Sequence, residues 1–258
     1  MNMFAEFARY YDLFYRDKDY AGEAAFARSL IEQHAPGTRT LLELGCGTGR
    51  HAMHWLRAGL SVTGVDRSEQ MLDGARRTAE SLPEADRARL KLVEADVSAL
   101  GDSLGLHDAA VSLFHVVNYQ TTDEALAGMF AGTRRALRPG GAFFFDYWYG
   151  PGVLSDRPVV RVREAHGDNG ELVTRTATPQ LDIDRNLVTV DYQLRVVPPQ
   201  GEPKEFHELH RMRYLFLPEI EKLAANAGFS FAASGRWMEA NQPLDDSSWF
   251  GWAVLRAE

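Results

Sequence analysis

The rhythm of hydrophobic and polar positions changes twice along the chain. Over residues 3–15, Phe4, Phe7, Tyr10, Tyr11 and Phe14 recur at helical spacing, and 20–34 carries a second helical pattern that Pro36-Gly37 breaks. A short apolar strand at 40–44 then leads through a glycine run into a helix containing Met53, Trp55 and Leu56. The same grammar repeats: strand Ser61–Val65 ending at Asp66, helix near 69–80, strands near 89–94 and 108–114, helix near 123–137 and strand near 141–147, with Pro139-Gly140-Gly141 expected to turn between the last two. Strands alternating with helices predict a parallel sheet covered on both faces.

Beyond about residue 155 the period shortens to two. Val159–Arg163, Glu171–Thr178, Leu187–Val197 and Phe206–Phe216 read as strands separated by Asp168-Asn169-Gly170, Asp184-Arg185-Asn186 and Pro198-Pro199-Gln200-Gly201. They predict an antiparallel sheet inserted into the α/β domain. A helix near 218–227 ends at Gly228, and runs at 229–236 and 248–255 are expected to complete the main sheet. The predicted organisation is an N-terminal helical lid (1–35), an α/β core (36–154), an antiparallel insertion (155–216) and a C-terminal return to the core (217–258).

Composition narrows this only a little. With 258 residues, 45% hydrophobic and 25% charged, the chain has material for one sizeable core plus an insertion. A net charge of -8 disfavours nucleic acid as a partner. A single cysteine, Cys46, forms no internal disulfide, no basic-then-apolar leader opens the chain, and apolar runs such as Ala142 to Phe145 are too short for a bilayer. A cytoplasmic protein without membrane contact is expected.

Chemistry concentrates in the first half. Glu43-Leu44-Gly45-Cys46-Gly47-Thr48-Gly49 sits between the first strand and its helix, where open α/β sheets bind ligands. Asp66 ends the second strand, about twenty residues on, the place from which a carboxylate accepts from ribose hydroxyls. Asp96 follows the third strand, within reach of a base amino group. The spacing G-x-G-x-G departs from the G-x-G-x-x-G of nicotinamide enzymes, the rival enzyme reading. Ser68 reads as the cap of the following helix.

The series E-L-G-C-G-T-G-R, V-D-R-S-E-Q-M-L, E-A-D-V and L-R-P-G-G resembles class I S-adenosylmethionine (SAM)-dependent methyltransferases over roughly residues 38–147. The resemblance implies a doubly wound, Rossmann-like sheet and SAM as cofactor. Gly45, Cys46, Gly47 and Gly49 would face its methionine part, Asp66 its ribose, and Asp96 and Val97 its adenine; Arg67 and Met71 share the second motif and the cofactor site. Phe114 and His115 would border the sulfonium.

A finer likeness, carried by Tyr11-Asp12-Leu13-Phe14-Tyr15, Lys18-Asp19-Tyr20 and Glu208-Leu209-His210-Arg211, is to deoxyaminosugar N-methyltransferases. It implies an N-terminal helix closing over SAM, with Tyr11, Tyr15 or Tyr20 near the cofactor. The inserted sheet would form part of the substrate pocket or a homodimer surface. Tyr119 stands where those enzymes carry a histidine, and their C-terminal basic residue has no counterpart around Ser247-Ser248-Trp249.

Methyl transfer requires an amine freed of its proton or a hydroxyl given a base. Candidate bases are His115, Tyr119, Asp146 and His210; Asp146-Tyr147-Trp148-Tyr149 would enclose a small-molecule acceptor. Glu208 and His210 share one strand face and read either as a pocket wall or as a satisfied pair. His51 and His54 lack a third metal ligand, so no metal is expected. Arg134, Arg135 and Arg138 read as a solvated helix end. The reading outside enzymes is a SAM-binding scaffold without activity.

Overall fold

The structure, a computed structural model, describes Tyr10 and residues 13–258. It forms two compact units: Tyr20–Asp156 with Tyr214–Glu258, and Arg157–Arg213 with the described residues up to Asp19. The boundary falls at 19/20, so the helix expected to belong with a lid over 1–35 belongs with the larger unit.

In the larger unit a seven-stranded sheet has the order β10-β11-β5-β4-β1-β2-β3. Its strands are β1 (Thr40–Leu44), β2 (Ser61–Asp66), β3 (Leu90–Glu94), β4 (His107–Ser112), β5 (Leu137–Trp148), β10 (Phe229–Arg236) and β11 (Phe250–Ala257). The first five pair in parallel, while β11 runs antiparallel to both β5 and β10. Helices α1 (Tyr20–His34), α2 (Arg50–Arg57), α3 (Glu69–Ala79), the short α4 (Glu84–Arg87), α5 (Asp123–Arg135), α6 (Gly150–Ser155) and α7 (Leu217–Ala227) complete the unit.

Alternation along each strand builds two cores, one on each face of the sheet. Leu42, Leu44, Phe143, Phe145 and Tyr147 pack with Met129, Phe130, Ile220 and Ala224 from α5 and α7. Leu41, Phe144 and Trp252 pack on the other side with Ala24, Ala27, Leu30 and Trp55 from α1 and α2. Such double coverage is why β1 and β5 read as nearly unbroken apolar runs. No helix among the described residues is long and apolar enough to cross a membrane.

Three sequence expectations are corrected. Pro139-Gly140-Gly141 does not separate helix from strand: β5 already starts at Leu137, and the three residues form a bulge between the pairs His107↔Leu137 and Ala109↔Ala142, with Gly140 at φ 78°. The fourth strand stops at Ser112 rather than 114, because the backbone turns left-handed at Phe114 and His115. The arginines at the end of α5 and the start of β5 are not simply solvated. Arg134 donates to the carbonyls of Gly228, Leu137 and Glu258, Arg135 to that of Leu100, and Arg138 to Asp108. They tie loop ends together.

The smaller unit carries a four-stranded antiparallel sheet, β6 (Arg161–His166), β7 (Leu172–Asp182), β8 (Leu187–Val197) and β9 (Lys204–Arg213), in sequence order. Val173, Leu194 and Val196 pack on one face with Tyr10, Leu13 and Phe14.

Candidate active site

Strand order reverses between β1 and β4, so the loops leaving their carboxyl ends part and open a crevice. The loop after β1 is held by Gly45 N–H and Cys46 N–H, both donating to Val65 O at 2.8 and 2.9 Å. Gly45 has φ 71°, and a Cβ there would stand 2.5 Å from a Val116 methyl in the turn after β4. Only glycine lets the two loops meet so closely. Gly47, at φ 53°, has the opposite surroundings: a Cβ would meet nothing within 4 Å. The loop is thus tight at its base and open at its tip. Gly49 then caps α2.

Two carboxylates, Glu43 and Asp66, adjoin this loop, and a third, Asp96, follows β3. Asp66 Oδ2 accepts from Gly47 N–H and Oδ1 from Ser68 N–H, each at 2.9 Å. Ser68 itself caps α3 by accepting from Met71 N–H, as the sequence suggested, so Asp66 is not spent as the helix cap. Each carboxylate oxygen retains a lone pair for a further donor. Burial raises the Asp66 pKa, against the pull of those N–H groups and of exposed Arg67. Glu43, 2% exposed on β1, has its pKa raised well above the usual range by burial and then by Asp66. Its Oε2 is buried with no hydrogen-bond partner. Asp96 is exposed and held below its ordinary value by Ser98, whose N–H and hydroxyl both donate to Oδ1. Val97 lies in the core. The Cys46 thiol is pushed far up by burial, then by Glu43 and Asp66, and sits against Gly64, so it is no nucleophile.

On the other side of the crevice, Phe114 and His115 take φ 64° and 63°, a left-handed pair that costs bulky residues about 1–3 kcal/mol each. Asp146, 1% exposed on β5, secures it. Its Oδ1 accepts from His115 N–H at 2.9 Å, and its Oδ2 lies 2.8 Å from His115 Nδ1. Phe250 from β11 stacks on the imidazole, with centroids 4.8 Å apart and planes 12° apart. Trp148 meets the same ring edge-on at 6.1 Å, and Trp249 meets Trp148 at 5.0 Å. Oδ2 approaches Nδ1 as an ion-pair contact without hydrogen-bond geometry, so the ring is held by the bond from the His115 N–H to Asp146 and by the Phe250 stack, with Nε2 the nitrogen that does not face the carboxylate.

Alternation divides the aromatic run expected around the acceptor. Asp146 and Trp148 share the His115 side, whereas Tyr147 is fully buried in the opposite core beside Phe145 and Tyr149. Tyr147 is therefore corrected from acceptor wall to core residue. Tyr119 ends the turn Val116–Tyr119 and is 38% exposed.

The remaining candidates have separate settings. Tyr20, at the start of α1, packs edge-on against His51 at 4.9 Å, with Arg50 over its ring. His51 Nε2 lies 2.8 Å from Glu23 in a buried pair. Among the described residues no three His, Cys, Asp or Glu side chains converge as metal ligands. In the smaller unit, His210 Nε2 is 2.9 Å from Glu208 and its ring abuts Tyr192, the satisfied half-buried pair of the two readings. Tyr11 lies outside the described residues.

Sequence reasoning missed Glu43, Trp249 and Phe250 as site residues. An acid inside an apolar strand was a readable signal for Glu43. Nothing local marks Phe250, which reaches His115 only because β11 pairs with β5 in the register Phe250↔Trp148.

Residues 41–141 match a methyltransferase domain family. A Streptomyces venezuelae protein, dTDP-3-amino-3,4,6-trideoxy-alpha-D-glucopyranose N,N-dimethyltransferase, is 30% identical over 226 residues, covering 84% of this chain and 87% of that protein. A Streptomyces fradiae dTDP-3-amino-3,6-dideoxy-alpha-D-glucopyranose N,N-dimethyltransferase is 28% identical, covering 87% and 84%. In fold, a SAM-dependent methyltransferase from Clostridium acetobutylicum superposes with TM-score 0.80 at 22% identity over 99% of both chains.

Proposed function

The chain belongs to the class I SAM-dependent methyltransferases, and on that premise we propose that it methylates the amine of a small amino-sugar nucleotide. The family match sets aside the nicotinamide reading. The observation that carries the N-acceptor is the His115–Asp146 pair with Phe250 stacked on the imidazole. The names of the relatives support the sugar.

The residues around the glycine loop fit SAM. The orphaned Glu43 Oε2 is an unpartnered acceptor at the end of β1, next to a loop that would face a cationic amino-acid tail, and the open side of Gly47 gives a ligand room to approach the backbone. Asp66 would accept from the ribose hydroxyls and Asp96, through its second oxygen, from the adenine amine. Bound SAM supplies an electrophilic methyl group on a sulfonium.

The chain's task is then alignment and proton removal. In this reading His115 Nε2 takes a proton from the acceptor's ammonium, and the freed lone pair forms the N–CH3 bond as the S–CH3 bond breaks and its electrons return to sulfur. Asp146 holds the imidazole in place and balances the charge it gains. The faces of Phe250 and Trp148 favour a cationic amine by cation–π attraction, worth about 0.5–2 kcal/mol.

The test is mass-spectrometric transfer from SAM to a panel of amino-sugar nucleotides, plain sugars and small amines. Methylated amino-sugar nucleotide is the expected product. SAM bound with no transfer to any amine would overturn the proposal and favour a non-catalytic SAM-binding protein.

A further inference from the structure

The turn that carries His115 is tied to β5 by a second side-chain hydrogen bond that the reaction above does not use. β4 ends at Ser112, next to Phe145, so β5 runs on to Trp148 without it. Alternate residues of a strand turn their backbone groups to opposite edges. Tyr149 N–H, on the β11 side, donates to Trp249 O at 3.0 Å. Trp148 turns the other way, to the edge that β4 has left. There its C=O accepts from Leu215 N–H at 2.9 Å, and its N–H donates to the side-chain Oδ1 of Asn118 at 3.2 Å. Asn118 is 0% exposed, and its amide stands in for the strand that has ended. All of these residues lie in the larger unit.

Two rungs of opposite polarity result. In one, the β5 side chain of Asp146 accepts from the His115 backbone; in the other, the turn's side chain of Asn118 accepts from the β5 backbone. Asn118 N–H, donating to His115 O at 3.0 Å, closes a ring between them. His115 sits inside that ring at φ 63°, and a left-handed backbone of this kind persists only where its surroundings over-determine it. Val116 braces the turn from its other side against Gly45. Asp146 fixes one point of the turn and Asn118 a second, and together they set the direction in which the imidazole leaves the backbone. The Asn118 bond also anchors Trp148, whose ring meets that imidazole edge-on.

We propose that Asn118 is a positioning residue for methyl transfer: its side-chain carbonyl clamps the His115 turn and Trp148 together and so aligns the proton acceptor with the amine. The assignment rests on the reading of His115 as that acceptor. Being fully buried, Asn118 acts through these neighbours, so its loss should show in the rate of the assembled complex and not in affinity for SAM.

Two variants of the full chain, Asn118→Leu and Asn118→Asp, separate the clamp from simple filling of space. Leucine fills the position without an acceptor; aspartate has the shape of asparagine and keeps one. Calorimetric titration with SAM counts the folded molecules in each preparation, so a variant that folds poorly is still scored per competent molecule. The single-turnover rate at saturating SAM and amino-sugar nucleotide should fall about tenfold or more in Asn118→Leu, with KM and SAM affinity unchanged, and Asn118→Asp should recover most of the loss. Amide hydrogen exchange read at Trp148 should quicken about tenfold in Asn118→Leu and stay near the parent in Asn118→Asp. Equal slowing of both variants, or Trp148 exchange unchanged in both, overturns the assignment. Slow transfer by Asn118→Leu beside normal transfer by His115→Ala sinks His115 as the proton acceptor and keeps Asn118 as a positioning residue acting on Trp148. Normal transfer by Asn118→Leu beside slow transfer by His115→Ala does the reverse.

Discussion

The two ends of the main sheet both carry buried polar groups, and they treat them in opposite ways. At the amino ends, Asp108 Oδ2 accepts from Arg39 N–H, Thr40 N–H and the Thr40 hydroxyl at 3.0, 2.9 and 2.8 Å, and Oδ1 lies 2.8 Å from Arg138. His107 bridges Thr63 Oγ1 and Ala136 O. Burial alone would raise the Asp108 pKa, yet these partners hold it below the ordinary value. At the carboxyl ends, Glu43 is orphaned, Asp66 is raised by burial, and Phe114 and His115 keep a strained backbone. One end is satisfied by the protein itself and closes the fold; the other is left with donors and acceptors to offer a ligand, at some expense of stability.

Substitutions at the two ends should therefore separate binding and chemistry from folding. The largest effect is expected for His115→Ala, which should slow transfer by about 100-fold or more if the ring removes the proton, with SAM affinity nearly unchanged. Single-turnover mass spectrometry reads the first and calorimetry the second; a normal rate would remove His115 from the chemistry. Asp66→Ala should weaken SAM binding by about 1–3 kcal/mol. Unchanged affinity would displace the ribose from Asp66. Asp108→Asn, at the satisfied end, should lower unfolding free energy by about 1–2 kcal/mol and leave SAM affinity alone. A carboxylate with a depressed folded pKa stabilises above its unfolded value near 3.9, so this deficit should vanish as pH falls through the folded pKa.

The smallest effect has the opposite sign. Glu43 has a raised folded pKa, so the native state holds its proton more tightly than the unfolded chain, and this acid destabilises the fold increasingly as pH rises from its unfolded value. Glu43→Gln should raise the melting temperature of the cofactor-free protein at neutral pH by about 2 °C and should weaken SAM binding. The gain should shrink toward pH 4. A melting temperature that falls at neutral pH would mean the carboxylate is satisfied after all.

The sequence made the loop half of the site legible because its parts are local. Gly45 to Gly49, Asp66 and Asp96 each lie at or just beyond a strand end, and period plus turn chemistry place strand ends well; β8 and β10 run over the residues expected. The acceptor half depends on long-range register. Phe250 and His115, 135 positions apart in the chain, meet only through β11 and β5, and whether Asp146 or Tyr147 faces the crevice is decided by the phase of one strand. The bulge at Pro139-Gly140-Gly141 sets that phase, and a proline-glycine pair read alone indicates a turn.

The approach of Gly45 to Val116 constrains what this protein's descendants can become. A methyl group at 45 has no room while valine stands at 116, so the two positions cannot drift independently. Shortening Val116 first would open the space, yet the left-handed backbone at 45 would still penalise any side chain. The permitted order of change runs one way, with 116 free to move ahead and 45 held back. A double-mutant cycle on the pair would measure that epistasis directly.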